Sequence, residues 1–120
     1  MTVAHDIGRT GEALARLFYE ALGYRCLAEN YRLPGGEIDL VVIRDRTLVF
    51  VEVKTRSRGA VASPEESVTR RKLHLLRRSA RAYLHRESPP PWAFLRIDLV
   101  AVENRGEGAG LVLRHHPGIG

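Results

Sequence analysis

Asp39, Glu52 and Lys54 lie in two runs that are otherwise mostly apolar, Gly36-Glu37-Ile38-Asp39-Leu40 and Phe50-Val51-Glu52-Val53-Lys54. Burying a charge is costly unless it is paired, so acids in such runs call for a counter-charge. Two carboxylates can hold a small hard cation, and a lysine two residues beyond one of them can stabilise negative charge on a phosphate or position an attacking water. With no cysteine and no pair of histidines close by in the sequence, oxygen donors suit Mg²⁺ or Mn²⁺ better than zinc.

The spacing brings these residues together only in one hairpin register. If the chain reverses about Asp45 and Arg46, Ile43 faces Leu48, Val41 faces Phe50, Asp39 faces Glu52, and Glu37 faces Lys54. A side-chain period of two then puts Glu37, Asp39, Glu52 and Lys54 on one face. Like charges opposed across a ladder are destabilising, and a divalent cation would reverse that sign. The same residues would also fit a solvated face, with Val49, Val51 and Val53 turned inward. Leu48 and Phe50, which share the acids' face, argue against that alternative. A bulge or a one-residue slip would remove the Asp39–Glu52 pairing.

The elements that must position these residues are readable from period and punctuation. Gly8 to Leu22 reads as a helix with Leu14, Leu17, Phe18, Ala21 and Leu22 at helical spacing and Gly23 as its cap. Tyr24 to Asn30 reads as a strand, followed by the turn Leu33-Pro34-Gly35-Gly36. Ile38–Ile43 and Leu48–Thr55 form the hairpin. Pro64, followed by Glu65 and Glu66, opens a second helix reaching about His85. Pro89 to Pro91 make a linker, Arg96–Glu103 is a strand, Gly106–Gly110 a turn, and Leu111–His115 a short edge strand before a loose tail, Pro117–Gly120. The order α-β-β-β-α-β, with one further strand, predicts an α/β fold in which helices cover a mixed central sheet.

The second helix divides sharply. Leu73, Leu76, Ala80, Tyr83 and Leu84 fall on one side, and Arg70, Arg71, Arg77, Arg78 and Arg81 on the other with His74 and His85. Acids are missing between Ser67 and Arg86, so the arginine row could follow a nucleic-acid backbone without reading bases. Lys72 falls away from that row, towards the sheet. Arg32, Arg56 and Arg58 are expected in loops bordering the acids, as further phosphate contacts or as structural residues. His115 and His116, adjacent on a strand, must point oppositely and are expected to be incidental. Trp92 and Phe94 are expected to anchor the linker, and Cys26 to be a small buried hydrophobe.

Composition sets the outer limits. At 120 residues, 44% hydrophobic and 28% charged, the chain has globular composition and the length of one domain. A formal charge of +5, mostly from arginine, favours polyanionic partners. The lone cysteine excludes an intrachain disulfide and a multi-cysteine zinc site. With no apolar leader and no membrane-length run, the expected location is the cytoplasm, with no membrane partner.

Gly8, Gly11-Glu12, Ala15, Gly23, Asn30 and Arg32, with the GEIDL block 36–40 and the FVEVKTR block 50–56, resemble the UPF0102 (YraN-like) proteins. Ser67-Val68-Thr69 with Lys72, and Arg96–Val100, fit the same pattern; Leu73 stands where that family usually carries Gln. The resemblance spans about Gly8 to Val102. That family in turn resembles the PD-(D/E)XK nucleases, especially archaeal Holliday-junction resolvases. It implies a restriction-endonuclease-like αβββαβ core, with Asp39, Glu52, Glu12 and the Val53 carbonyl as ligands of Mg²⁺ or Mn²⁺ and Lys54 as the catalytic lysine. The expected activity is metal-dependent endonuclease cleavage of DNA, with branched or structured DNA as substrate and a homodimer as a compatible assembly. The alternative is a non-catalytic nucleic-acid-binding or adaptor protein that keeps the nuclease fold.

Overall fold

The computed structural model describes residues 3–57 and 59–120, with side chains from residue 10 onward. Arg58 and the side chain of His5 lie outside the described residues.

Eight elements follow one another: α1 (Val3–Ala21), β1 (Arg25–Leu33), β2 (Gly36–Arg44), β3 (Thr47–Ser57), a 3₁₀ turn (Glu65–Ser67), α2 (Arg70–Arg86), β4 (Phe94–Asn104) and β5 (Leu111–His116). The strands form one sheet in the order β1-β2-β3-β4-β5. The β3–β4 pair is parallel and the others are antiparallel. A parallel neighbour requires a crossover, and α2 supplies it. This is the mixed α/β, restriction-endonuclease-like core anticipated from the sequence, extended by β5. Among the described residues, no helix is long and apolar enough to cross a membrane.

Each sheet face carries its own core. On one, Ala15 and Tyr19 of α1 pack with Leu40, Val42, Val49, Val51, Val100 and Val102. On the other, Leu76, Ala80 and Tyr83 of α2 pack with Ile38, Val41, Ile43, Leu48, Phe50 and Ile97. The apolar side of α2 is therefore the expected one. That of α1 is rotated: Leu17 is 61% exposed, Ala21 and Leu22 are exposed, and Tyr19 is fully buried. Tyr19 can be buried because its hydroxyl donates to the buried Asp98 carboxylate at 2.8 Å. The helix ends as expected at Gly23 (φ +90°), with Gly23 N–H donating to Glu20 O and Tyr24 N–H to Tyr19 O, each at 3.0 Å.

Several boundaries differ from expectation for identifiable reasons. Pro64 caps the 3₁₀ turn that holds Glu65 and Glu66; Val68 is extended, and α2 starts only after Thr69, whose hydroxyl accepts the Lys72 N–H at 3.2 Å. Arg32 and Arg56 lie within β1 and β3, not in loops. The tail is docked: Gly118 N–H donates to Asp98 and Ile119 N–H to Ile97 O. Trp92 and Phe94 do not bury as anchors; they are 37% and 69% exposed. Cys26 is half-buried, with its thiol directed at the Ala28 carbonyl.

Candidate functional site

The site begins with an irregularity in β1 and β2. Ile38 belongs to the α2-side core, yet Leu40, two residues on, belongs to the α1-side core. Regular pleating would put both on one face, so the alternation inverts at Asp39. On β1 the same rung carries Asn30, in the left-handed region at φ +48°. Around it, Tyr31 pairs with Ile38 and Glu29 with Leu40.

The hairpin register matches the expected one from Arg44↔Thr47 to Leu40↔Val51, and the ladder ends there. Asp39 and Glu52 are thus not a regular rung. The strands part, and the Asp39 carboxylate fills the opening, accepting the Val53 N–H at 2.7 Å. Glu37 also departs from expectation. It alternates with Gly36 and Ile38, which face α2, and its charge acts on Glu12 of α1. Glu52 lies on the α2 side, where Lys72 reaches it, and alternation puts Lys54 on that side as well. The four charges do not share one face.

Asp39 and Glu52 still meet, within hydrogen-bonding reach of each other. Burial first, then the shared hydrogen bond and the charge of Glu52, push the Asp39 carboxyl up to about 8, against the opposing pull of the Val53 N–H. Glu52 is only 4% exposed. Its Oε2 makes no well-directed hydrogen bond, and Lys72 Nζ, 3.1 Å away, neutralises it by charge more than by geometry.

Glu12 flanks Asp39 from the opposite layer. Gly11 brings α1 against β3 so closely that a Cβ there would strike the Thr55 hydroxyl. Glu12 then lines a crevice of about 220 Å³ with Glu29, Asn30 and Asp39. Partial burial raises its carboxyl, Asn30 lowers it, and Glu37 and Glu29 raise it further. Among the described residues, no three His, Cys, Asp or Glu side chains converge tightly enough to enclose a metal. Mg²⁺, however, is commonly held by one or two carboxylates with waters and substrate phosphate completing the shell. The Asp39–Glu52 pair fits that requirement.

The basic residues divide between places. Arg70, Arg71, Arg77, Arg78 and Arg81 are exposed along α2, whereas Lys72 turns inward to Glu52. Arg32 is exposed on β1 opposite Glu37. Arg56 lies at the far end of β3, donating to Thr55 O and lining a separate cleft of about 520 Å³ with Ser57, Ser63 and Arg105.

The sequence reading missed a buried node. Asp98, fully buried, accepts from Arg96 Nε and Nη2 at 2.7 and 2.9 Å, Tyr19 OH at 2.8 Å and Gly118 N–H at 3.0 Å, with His115 Nε2 at 2.9 Å. Burial opposes its charge, but these partners outweigh it and hold the carboxyl below the usual carboxylate range. His116 points the other way, to Glu65 at 2.9 Å, beside the two-pronged Arg114–Glu65 pair. The two histidines diverge as expected, but neither is incidental. An acid inside the run Ile97-Asp98-Leu99-Val100 was the available signal.

The family model described as "Uncharacterised protein family UPF0102" matches residues 11–102. The chain belongs to this family. A UPF0102 protein of Beutenbergia cavernae is 46% identical over 120 residues, covering 100% of both chains. UPF0102 proteins of Chlorobium phaeobacteroides and Symbiobacterium thermophilum are 43% and 44% identical, covering 83% and 88% of this chain and 79% and 89% of their own. The UPF0102 match takes in Glu12, Asp39, Glu52, Lys54, Lys72 and Asp98, and ends before β5.

Proposed function

We propose that this UPF0102 protein hydrolyses phosphodiester bonds in DNA with Mg²⁺ or Mn²⁺, and that its substrate is branched or otherwise structured. The observation that carries this reading is the meeting of Asp39 and Glu52 where β2 and β3 part, with Asp39 held towards its protonated form. Such a pair needs either a shared proton or a cation. When bound, the ion supplies an acidified water and offsets charge developing on the phosphate. Asp39 is oriented by the Val53 N–H, and the Val53 carbonyl is the candidate main-chain donor. Glu12 adds negative charge from α1. Lys54 has no ion-pair partner among the described residues and is free to meet a phosphate oxygen. The α2 arginines and Arg32 supply cations for the backbone, while Arg56 would meet it further from the acids. A symmetric junction would suit two copies acting together.

Calorimetric titration of Mg²⁺ or Mn²⁺ should give heat with the wild type and none with Asp39→Asn. Cleavage of branched DNA should then be lost in Asp39→Ala and Lys54→Ala. Equal turnover by all three proteins rejects the assignment. Lys72 favours one second reading, because its ammonium already neutralises Glu52 without a metal. On that reading the protein binds nucleic acid without turnover, and steeply salt-dependent binding persists after the acids are replaced while no product forms.

A further inference from the structure

Between α2 and β4 lies a groove of about 180 Å³. Buried Phe50 and Ile97 form its floor, Leu84 and Leu95 its sides, and Arg77 and Arg81 stand at its edge. Leu95 is 45% exposed, so the apolar surface is open to water. Neither arginine has an ion-pair partner among the described residues, unlike Arg16, Arg96 and Arg114. The volume falls below the roughly 300–1,000 Å³ of small-molecule pockets, which leaves room for one planar ring system but not a whole cofactor. Phe50 and Glu52 share a face of β3 two residues apart, about 7 Å along the strand.

We infer that this groove receives one unpaired nucleobase of a nucleic-acid strand, with Arg77 and Arg81 on the flanking phosphates. The inference rests on the proposed function and narrows it to substrates with single-stranded nucleotides beside the bond held at the acid pair. Charge complementarity selects this occupant. An apolar floor accepts the face of any base, and two guanidinium groups at its margin attract anions next to that base. Recognition is sequence-tolerant, because the base meets an apolar floor and Arg96, which also lines the groove, is committed to Asp98 and Tyr24.

Fluorescence anisotropy in chelator tests this without turnover. A labelled short single strand, an abasic analogue and a duplex are titrated against the wild type, Leu95→Glu and Leu95→Ser. The wild type should prefer the strand with bases over the abasic analogue by roughly tenfold, the scale of one stacked base. Leu95→Glu should lose that preference and keep its salt-dependent duplex binding, with Leu95→Ser intermediate. An unchanged base preference in both variants, or none in the wild type, overturns the groove assignment and leaves the proposed hydrolysis standing. Tighter binding of an acidic leucine-containing peptide than of the strand overturns it in favour of a protein partner. Loss of metal-dependent cleavage on every substrate, with the base preference intact, would instead remove the proposed hydrolysis alone.

Discussion

Replacing Asp39 with Asn removes a titrating group but leaves an oxygen to accept the Val53 N–H. In the folded protein the carboxyl is held near 8, while in the unfolded chain it returns to about 4. Between those values the folded state retains a proton that the unfolded state has released, so wild-type stability falls as pH rises through the window. A full one-proton difference is worth about 1.4 kcal/mol per pH unit, giving a ceiling near 3 kcal/mol from pH 5 to pH 7. The crevice beside Glu12 leaves Asp39 partly open to water, and screening reduces this to about 1–2 kcal/mol. Urea unfolding in chelator at both pH values measures it, and subtracting wild type from Asp39→Asn removes the contributions of groups that do not interact with Asp39. The stability advantage of the variant should grow by that amount from pH 5 to pH 7. An advantage that stays constant means Asp39 ionises with ordinary affinity and refutes the reasoning.

Lys72→Met should destabilise the protein by about 1–3 kcal/mol, because Glu52 would remain buried without a counter-charge. The double variant with Glu52→Gln should recover most of that loss in the same unfolding assay, whereas additive losses would show that the pair is not coupled. Tyr19→Phe should cost about 1.5–3 kcal/mol by denaturant unfolding, since it removes a buried donor to an ionised Asp98.

The sheet and its helices were legible because alternation and helical period survive in most strands and in α2. The hairpin rungs from Leu40 to Arg44 follow directly from the symmetric turn. The site itself was only half legible. Both acids could be named, but the inversion at Asp39 coincides with a positive φ at Asn30 on the neighbouring strand, a pairwise event that no single run of residues encodes. Lys72 was readable as facing the sheet from its place on the helical wheel, though not its contact with Glu52. Tyr19, Asp98, Arg96 and His115 are polar residues made buriable by one another, so each looks misplaced until all are assembled. The start of α2 was misplaced because Pro64 and its two acids resemble a helix opening, while the functioning cap is a single hydroxyl at Thr69.

The change of facing within β2 limits where this constellation could be transplanted. A regular antiparallel hairpin given residues 36–42 would send either Ile38 or Leu40 into water, since these side chains belong to opposite layers. It would also close the opening that admits the Asp39 carboxylate. A designer moving these acids to another scaffold would need to carry the left-handed residue of the adjoining strand with them, and a helix on each side to receive the two diverging apolar residues.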